Sequence, residues 1–265
     1  MMMDSVRRLA VSDQSLRRKV LKEILTESGL SHRVQHAREG THEIENIVLS
    51  FGEAGKRLVF GAHYDSVTSS TGANDNASGV CILIELAKHL RQHHVSGIEI
   101  VFFDREEAED HGSSAYIRLT GKENLAAMVN LDMCGFGDRI AMISKFRRND
   151  PLFRGLMDDG LLKKHRIICL DRVPFLVSDD VRFDEAGIPN IALETIADEE
   201  EPLLQEIARC AVCGQPLSDE LRKKMRSTVS ASTFHNGPND SIHSVHEECM
   251  MMVLDYLLDG LQLSN

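Results

Sequence analysis

Apolar residues recur along this chain with two different periods. From Ser12 onward Leu16, Val20, Leu21, Ile24 and Leu25 return at helical spacing. Asp13 reads as the cap of that helix and Gly29 as its stop. Seven short runs rich in β-branched and aromatic residues, at 44–51, 58–62, 98–103, 126–131, 140–143, 167–170 and 188–193, read as strands. Helical spacing returns at 79–90, 113–119 and 152–162, and last through Met251, Leu254, Leu257, Leu258 and Leu261. Strands alternating with helices, the central strands apolar on both faces, predict an α/β fold: a three-layer α/β/α domain around a mostly parallel central sheet. One domain over residues 1–265 suffices. The stretch 198–229 breaks the rhythm with Glu199, Glu200 and Glu201, the pair Cys210 and Cys213, and then Lys223, Lys224 and Arg226, and is read as an insertion.

Composition narrows the class. With 265 residues, 42% apolar and 27% charged, the chain can bury about three quarters of its unfolded surface without a disulfide framework. Thirty basic residues against forty-one acidic ones leave a net charge of −11. Such a surface repels nucleic acid and anionic lipid, so neither is an expected partner, and the ligand should be small or cationic. The first thirty residues contain no uninterrupted apolar segment of signal-peptide type and no apolar run reaches ~18 residues, which predicts a cytoplasmic protein that does not span a membrane. Cys81, Cys134, Cys169 and Cys249 read as single reduced thiols. Cys210 and Cys213 resemble one zinc-ribbon knuckle without its second pair, so loop thiols are the first reading and half of a metal site the next.

Ligands of open parallel sheets sit beyond the carboxyl ends of the strands, which directs attention to the polar residues there. His63-Tyr64-Asp65-Ser66 follows the run 58–62, Asp104-Arg105-Glu106-Glu107 follows 98–103, and Asp132 follows 126–131. Gly72-Ala73-Asn74-Asp75-Asn76-Ala77-Ser78-Gly79 leads into a helix. Each alone fits a turn, a cap or a dipole partner. Together they bring Asp65, Asp75, Glu106, Glu107 and Asp132 to one edge, where two like charges ~4 Å apart repel by about 4 kcal/mol at an effective dielectric of 20. Such crowding calls for cations. Carboxylates mixed with imidazole suit zinc, or less selectively manganese or cobalt. Two divalent ions would outweigh the charges of Asp75, Glu107 and Asp132 and leave charge for a hydroxide.

These segments, with Gly112-Ser113, Tyr116, Asn130-Leu131-Asp132-Met133, Ser178-Asp179, Phe183 and Gly187-Ile188-Pro189, resemble in order the zinc-dependent aminopeptidases of the bacterial leucyl aminopeptidase type. That family's relatives include glutaminyl cyclase and the transferrin receptor ectodomain. The resemblance implies a zinc exopeptidase fold and two zinc ions, with His63 and Asp132 on one, Glu107 on the other and Asp75 between them. It makes Glu106 the general base and Asp65 the partner that orients the His63 ring. For the fifth ligand it points to His235, a few residues before Asp240-Ser241, where an Asp240 start leaves the right length for a closing helix; His243 is second and His246 third. The family often has histidine where this chain has Asp180.

The implied reaction is hydrolysis of the amino-terminal peptide bond of short peptides, with Glu106 shuttling the proton. A glutaminyl cyclase-like transferase with one zinc is the first rival, and a non-catalytic binding scaffold the second. The intact segment 72–79 points to the aminopeptidases. Side-chain preference, peptide length and any homo-oligomer are not written in the sequence.

Overall fold

The structure, a computed structural model, describes residues 2–53, 55–108, 111–144, 154–171, 173, 178–233, 237 and 239–263. Eight strands form one sheet in the order β1-β2-β4-β3-β5-β8-β6-β7. They are β1 (Arg33–Glu39), β2 (His42–Phe51), β3 (Arg57–His63), β4 (Ile98–Phe103), β5 (Leu125–Leu131), β6 (Arg139–Ile143), β7 (Ile168–Leu170) and β8 (Asn190–Ile196). The central strands β4, β3, β5 and β8 run parallel, and antiparallel pairing enters at β2 and at β6. All seven strands expected from the sequence are present.

Strand alternation divides the core. Ile47, Phe60, Ile100, Val129 and Leu193 face helices α1 (Met2–Leu9), α2 (Gln14–Glu27), α3 (Gly79–Gln92) and α9 (Glu247–Gly260). On the opposite face Val59, Val101 and Met128 meet Tyr116 of α4 (His111–Thr120) and Phe183 of α6 (Asp180–Glu185). Further along that face Ala141, Ala192 and Ile196 pack on α7 (Glu201–Val212) and α8 (Asp219–Arg226) through Leu204, Ile207 and Met225. This is the expected three-layer α/β/α arrangement. The stretch 198–229 thus lays two helices on the sheet, with Cys210 half-buried and Cys213 exposed at the end of α7.

Three local expectations are corrected. In α2 the Asp13 side chain accepts from Leu16 N at 2.8 Å, as a cap should, but Leu16 is 46% exposed while Arg17 is fully buried. The inward stripe is Arg17, Leu21, Ile24 and Leu25, spaced i, i+4, i+7 and i+8, so a charged residue holds a core position. The helix expected at 152–162 is α5 (Asp159–Lys164), because the Asp158 side chain caps it at Leu161 N (2.9 Å); residues 151–153 lie outside the described residues. The closing helix begins at Glu247 and not near Asp240, whose carboxylate is engaged elsewhere. Strand β1 and helix α6 carried too few apolar residues to be read from periodicity, whereas α1, with Met2, Val6 and Leu9 buried at i, i+4 and i+7, had the spacing and was missed.

Candidate metal centre

Because β3, β4 and β5 are parallel neighbours, their carboxyl ends finish side by side, His63 opposite Phe103. Tyr64 N continues the ladder to Phe103 O at 2.9 Å. The chain then turns sharply at two non-glycine residues in the left-handed region, Arg105 (φ +63°) before Glu106 and Met133 (φ +48°) after Asp132. Backbone conformations of this kind persist where surrounding structure enforces them, and they cluster at functional sites.

Asp75 arrives on a fourth segment, Ala73–Ser78, which enters α3. Gly72 opens it at φ +59°, and a Cβ there would stand 2.5 Å from Arg17 Nη1 and 2.6 Å from Asp75 O, so only glycine fits. Arg17 donates to Thr71 O and Gly72 O, each at 2.8 Å, anchoring the loop from below. Asp240 anchors it from the other side: its Oδ1 accepts from Asn74 N (2.9 Å) and Asp75 N (3.3 Å), and Ser70 Oγ donates to its Oδ2. These loop amides hold the aspartate that was expected to start the last helix.

The side chains converge. His63 Nε2 lies 3.2 Å from Asp75 Oδ1, 3.4 Å from Asp132 Oδ1 and 4.0 Å from Glu106 Oε2. His63, Asp75 and Asp132 offer ligand atoms within 4.8 Å of one another. Asp65 stands behind them, its Oδ1 3.5 Å from His63 Nδ1. The same carboxylate accepts from two consecutive amides, Glu106 N (3.0 Å) and Glu107 N (3.1 Å), so Asp65 ties the end of β3 to the loop after β4.

Electrostatics report the crowding. Burial pulls the His63 imidazole towards neutrality, yet Glu106 and Asp132 more than offset this and hold its pKa well above the ordinary histidine value. Burial, against the pull of His63 and with Asp132, Asp179 and Asp75 adding to it, raises Glu106 well above the carboxylate range. Glu107 is pushed up to about 8, by burial first and then by Asp75. A set of acids that retains protons in this way is a set that a cation would stabilise.

The residues fit a divalent ion by an independent observation. His63 Nε2 and Asp132 Oδ1 are both buried without a hydrogen bond, an arrangement that costs free energy unless a further partner fills the gap. Imidazole nitrogen with carboxylate oxygens is a donor set for zinc. Of the residues singled out in the sequence, His63, Asp65, Asp75, Glu106, Glu107 and Asp132 lie together here. His235 lies outside the described residues, whereas His243 and His246 are exposed. Thr233 and Asp240, on either side of His235, both bond to Asn74: its Nδ2 reaches Thr233 Oγ1 at 3.0 Å.

Sequence reasoning gave no role to two contributors. Arg17 was hidden among helix-surface charges, although its place on the apolar stripe was a usable signal. Asp179 is fully buried and adds its charge to that felt by Glu106; nothing local distinguishes it from Asp180, whose Oδ1 accepts from Ser178 N at 3.1 Å at the start of α6. Among the described residues no cysteine joins a metal-binding group.

Residues 46–255 match the family described as "Peptidase family M28". Aminopeptidase YwaD of Bacillus subtilis is 44% identical over 78 residues, 28% of this chain and 17% of that protein. The curated relatives are each matched over less than half of their own length. Among solved structures, BSAP, a zinc aminopeptidase from Bacillus subtilis, superposes with a TM-score of 0.60 at 22% identity, over 82% of this chain and 49% of that one. Porphyromonas gingivalis glutaminyl cyclase gives 0.68 at 19% identity, over 98% and 96%. Both establish a shared fold. No helix among the described residues is long and apolar enough to cross a membrane.

Proposed function

The chain belongs to peptidase family M28, and from that membership we propose that it hydrolyses the amino-terminal peptide bond of short cytoplasmic peptides at a two-zinc site. The observation that carries this reading is the approach of His63 Nε2 to Asp75 Oδ1 and Asp132 Oδ1, at 3.2 and 3.4 Å, with Glu106 Oε2 close by. His63, Asp75, Glu107 and Asp132 are the residues that would hold the ions. His235 is the proposed fifth, supported by the bonds of its neighbours Thr233 and Asp240 to the Asp75 loop.

Zinc, when bound, polarises a peptide carbonyl and makes water acidic enough to ionise near neutral pH. The chain supplies the rest. Glu106 takes a proton from the attacking water on its carboxylate and returns it from the carboxylic acid to the departing amine, one group serving as base and then acid. Its location inside a buried, acid-rich pocket raises its proton affinity above that of an ordinary carboxylate. Asp65 fixes the backbone of Glu106 and Glu107 and faces Nδ1 of His63, which leaves Nε2 for the ion. Two adjacent glutamates would divide the labour: Glu107 would hold metal, leaving Glu106 free to carry the proton.

The test is turnover of aminoacyl 4-nitroanilides by the zinc-loaded protein and by Glu106→Gln. The variant should retain its zinc and lose turnover by about 10²–10⁴-fold. Unchanged turnover with zinc present contradicts the assignment. Conversion of amino-terminal glutamine to pyroglutamate without peptide cleavage would move the site to glutaminyl cyclase chemistry.

A further inference from the structure

Beside the metal centre a cleft enters the space between β8, α7, α8 and residues 228–233. Asn74 and Met133, the chain neighbours of Asp75 and Asp132, are among its lining residues, which sets the cleft next to the ligand cluster. Ile196, Leu204 and Met225 give it apolar walls. Such walls suit a methylene stem.

Its polar lining is unusual. Glu194 of β8 lies on the cleft, is 3% exposed, and its side chain makes no hydrogen bond or ion pair with any described residue. Glu200, 7% exposed, accepts only Ser230 N at 3.1 Å among the described residues. No described lining residue is basic. Burying a carboxylate in apolar surroundings without a partner is costly, and the usual remedy is an opposite charge. Burial first, then repulsion from Asp132, Asp180 and Asp75, drives Glu194 well above the carboxylate range.

The geometry points to this cleft as the seat of a cationic amino-terminal side chain, lysine or arginine, its stem along Ile196, Leu204 and Met225 and its ammonium or guanidinium group on Glu194, with Glu200 as a second acceptor. This deepens the aminopeptidase reading and rests on it. An apolar side chain would fill the walls but leave Glu194 unpaired and sealed from water. Specificity then comes from a polar group that a neutral substrate cannot satisfy, a stronger discriminator than pocket size.

The test uses two near-isosteric pairs, L-arginine against L-citrulline and L-lysine against L-norleucine, titrated calorimetrically into the zinc-loaded protein. The cationic member of each pair should bind at least about tenfold more tightly. Glu194→Gln should reduce both ratios to within about threefold, and Glu200→Gln should reduce them less. Thermal unfolding checks that each variant is folded; if Glu194→Gln is not, the wild-type ratios and Glu200→Gln decide. Equal or tighter binding of citrulline and norleucine, or ratios that survive Glu194→Gln, overturn the proposal. Aminoacyl 4-nitroanilides separate it from the reading beneath: hydrolysis without preference for lysine or arginine sinks the cation pocket alone. Intact binding ratios with no hydrolysis of any aminoacyl substrate sink the aminopeptidase alone.

Discussion

Two glutamates project from the same face of the sheet and are almost equally buried, Glu99 on β4 at 2% exposure and Glu194 on β8 at 3%. Glu99 is closed in. Tyr116 Oη donates to it at 2.6 Å and Ser50 Oγ at 2.7 Å, and Arg33 and Arg57 stand 3.4 and 3.6 Å away. Glu194 has none of this. A buried acid whose partners are all supplied by the chain belongs to the architecture; one whose partners are missing marks a place where something else arrives. At the metal centre Asp132 follows the second pattern, its Oδ1 and the Nε2 of His63 buried without a hydrogen bond among the described residues.

The sharpest way to break this distinction is at the metal centre. Asp75→Ala is expected to abolish zinc retention after dialysis and to lower aminoacyl 4-nitroanilide turnover by on the order of 10⁴. A variant that keeps its metal and its turnover would show that the converging acids are architectural after all. Next in size is the pair itself, followed by urea unfolding of the metal-free protein. Glu99→Ala should cost about 3 kcal/mol, because it leaves Tyr116, Ser50 and two guanidinium groups without their acceptor. Glu194→Gln should leave the midpoint unchanged or raise it, since no described partner is lost. Equal losses at the two positions would erase the contrast.

A third expectation concerns pH. In the metal-free fold Glu107 holds its proton up to about 8, while in the unfolded chain it ionises near the ordinary value of 4.5. Between those limits the folded state binds more protons, so Glu107 makes stability fall as pH rises from about 4.5 to about 8. Zinc needs the ionised carboxylate, so its affinity should rise across the same window. Unfolding midpoints with and without zinc at pH 5 through 8 check both signs; a zinc increment independent of pH would remove Glu107 from the ligands. The smallest effect is on the closed side of the comparison. Asp13→Ala removes the cap on Leu16 N and should cost about 1 kcal/mol with little change in zinc binding.

The same contrast explains how much was legible in the sequence. The central strands were readable because burial on both faces leaves unbroken apolar runs, and their parallel order put His63, Glu106, Glu107 and Asp132 at one edge. The Gly72–Gly79 segment was readable because its backbone approaches Arg17 and Leu131 too closely for a Cβ. Long-range pairings were not. Arg17 sits on the apolar stripe, but only the fold shows Thr71 and Gly72 as its partners, and Asp240 looks like a helix start until Asn74 and Asp75 present their amides. Glu194 and Glu99 sit in equally apolar strands. Only the fold shows that one of them faces Tyr116 and arginine and the other a cleft.

Metal content tests the central claim most directly. After zinc loading and exhaustive dialysis, elemental mass spectrometry should find about two zinc ions per chain, and well under one in Asp75→Ala. Wild-type protein that is folded, retains no zinc and still cleaves aminoacyl substrates at full rate in chelator would contradict the account.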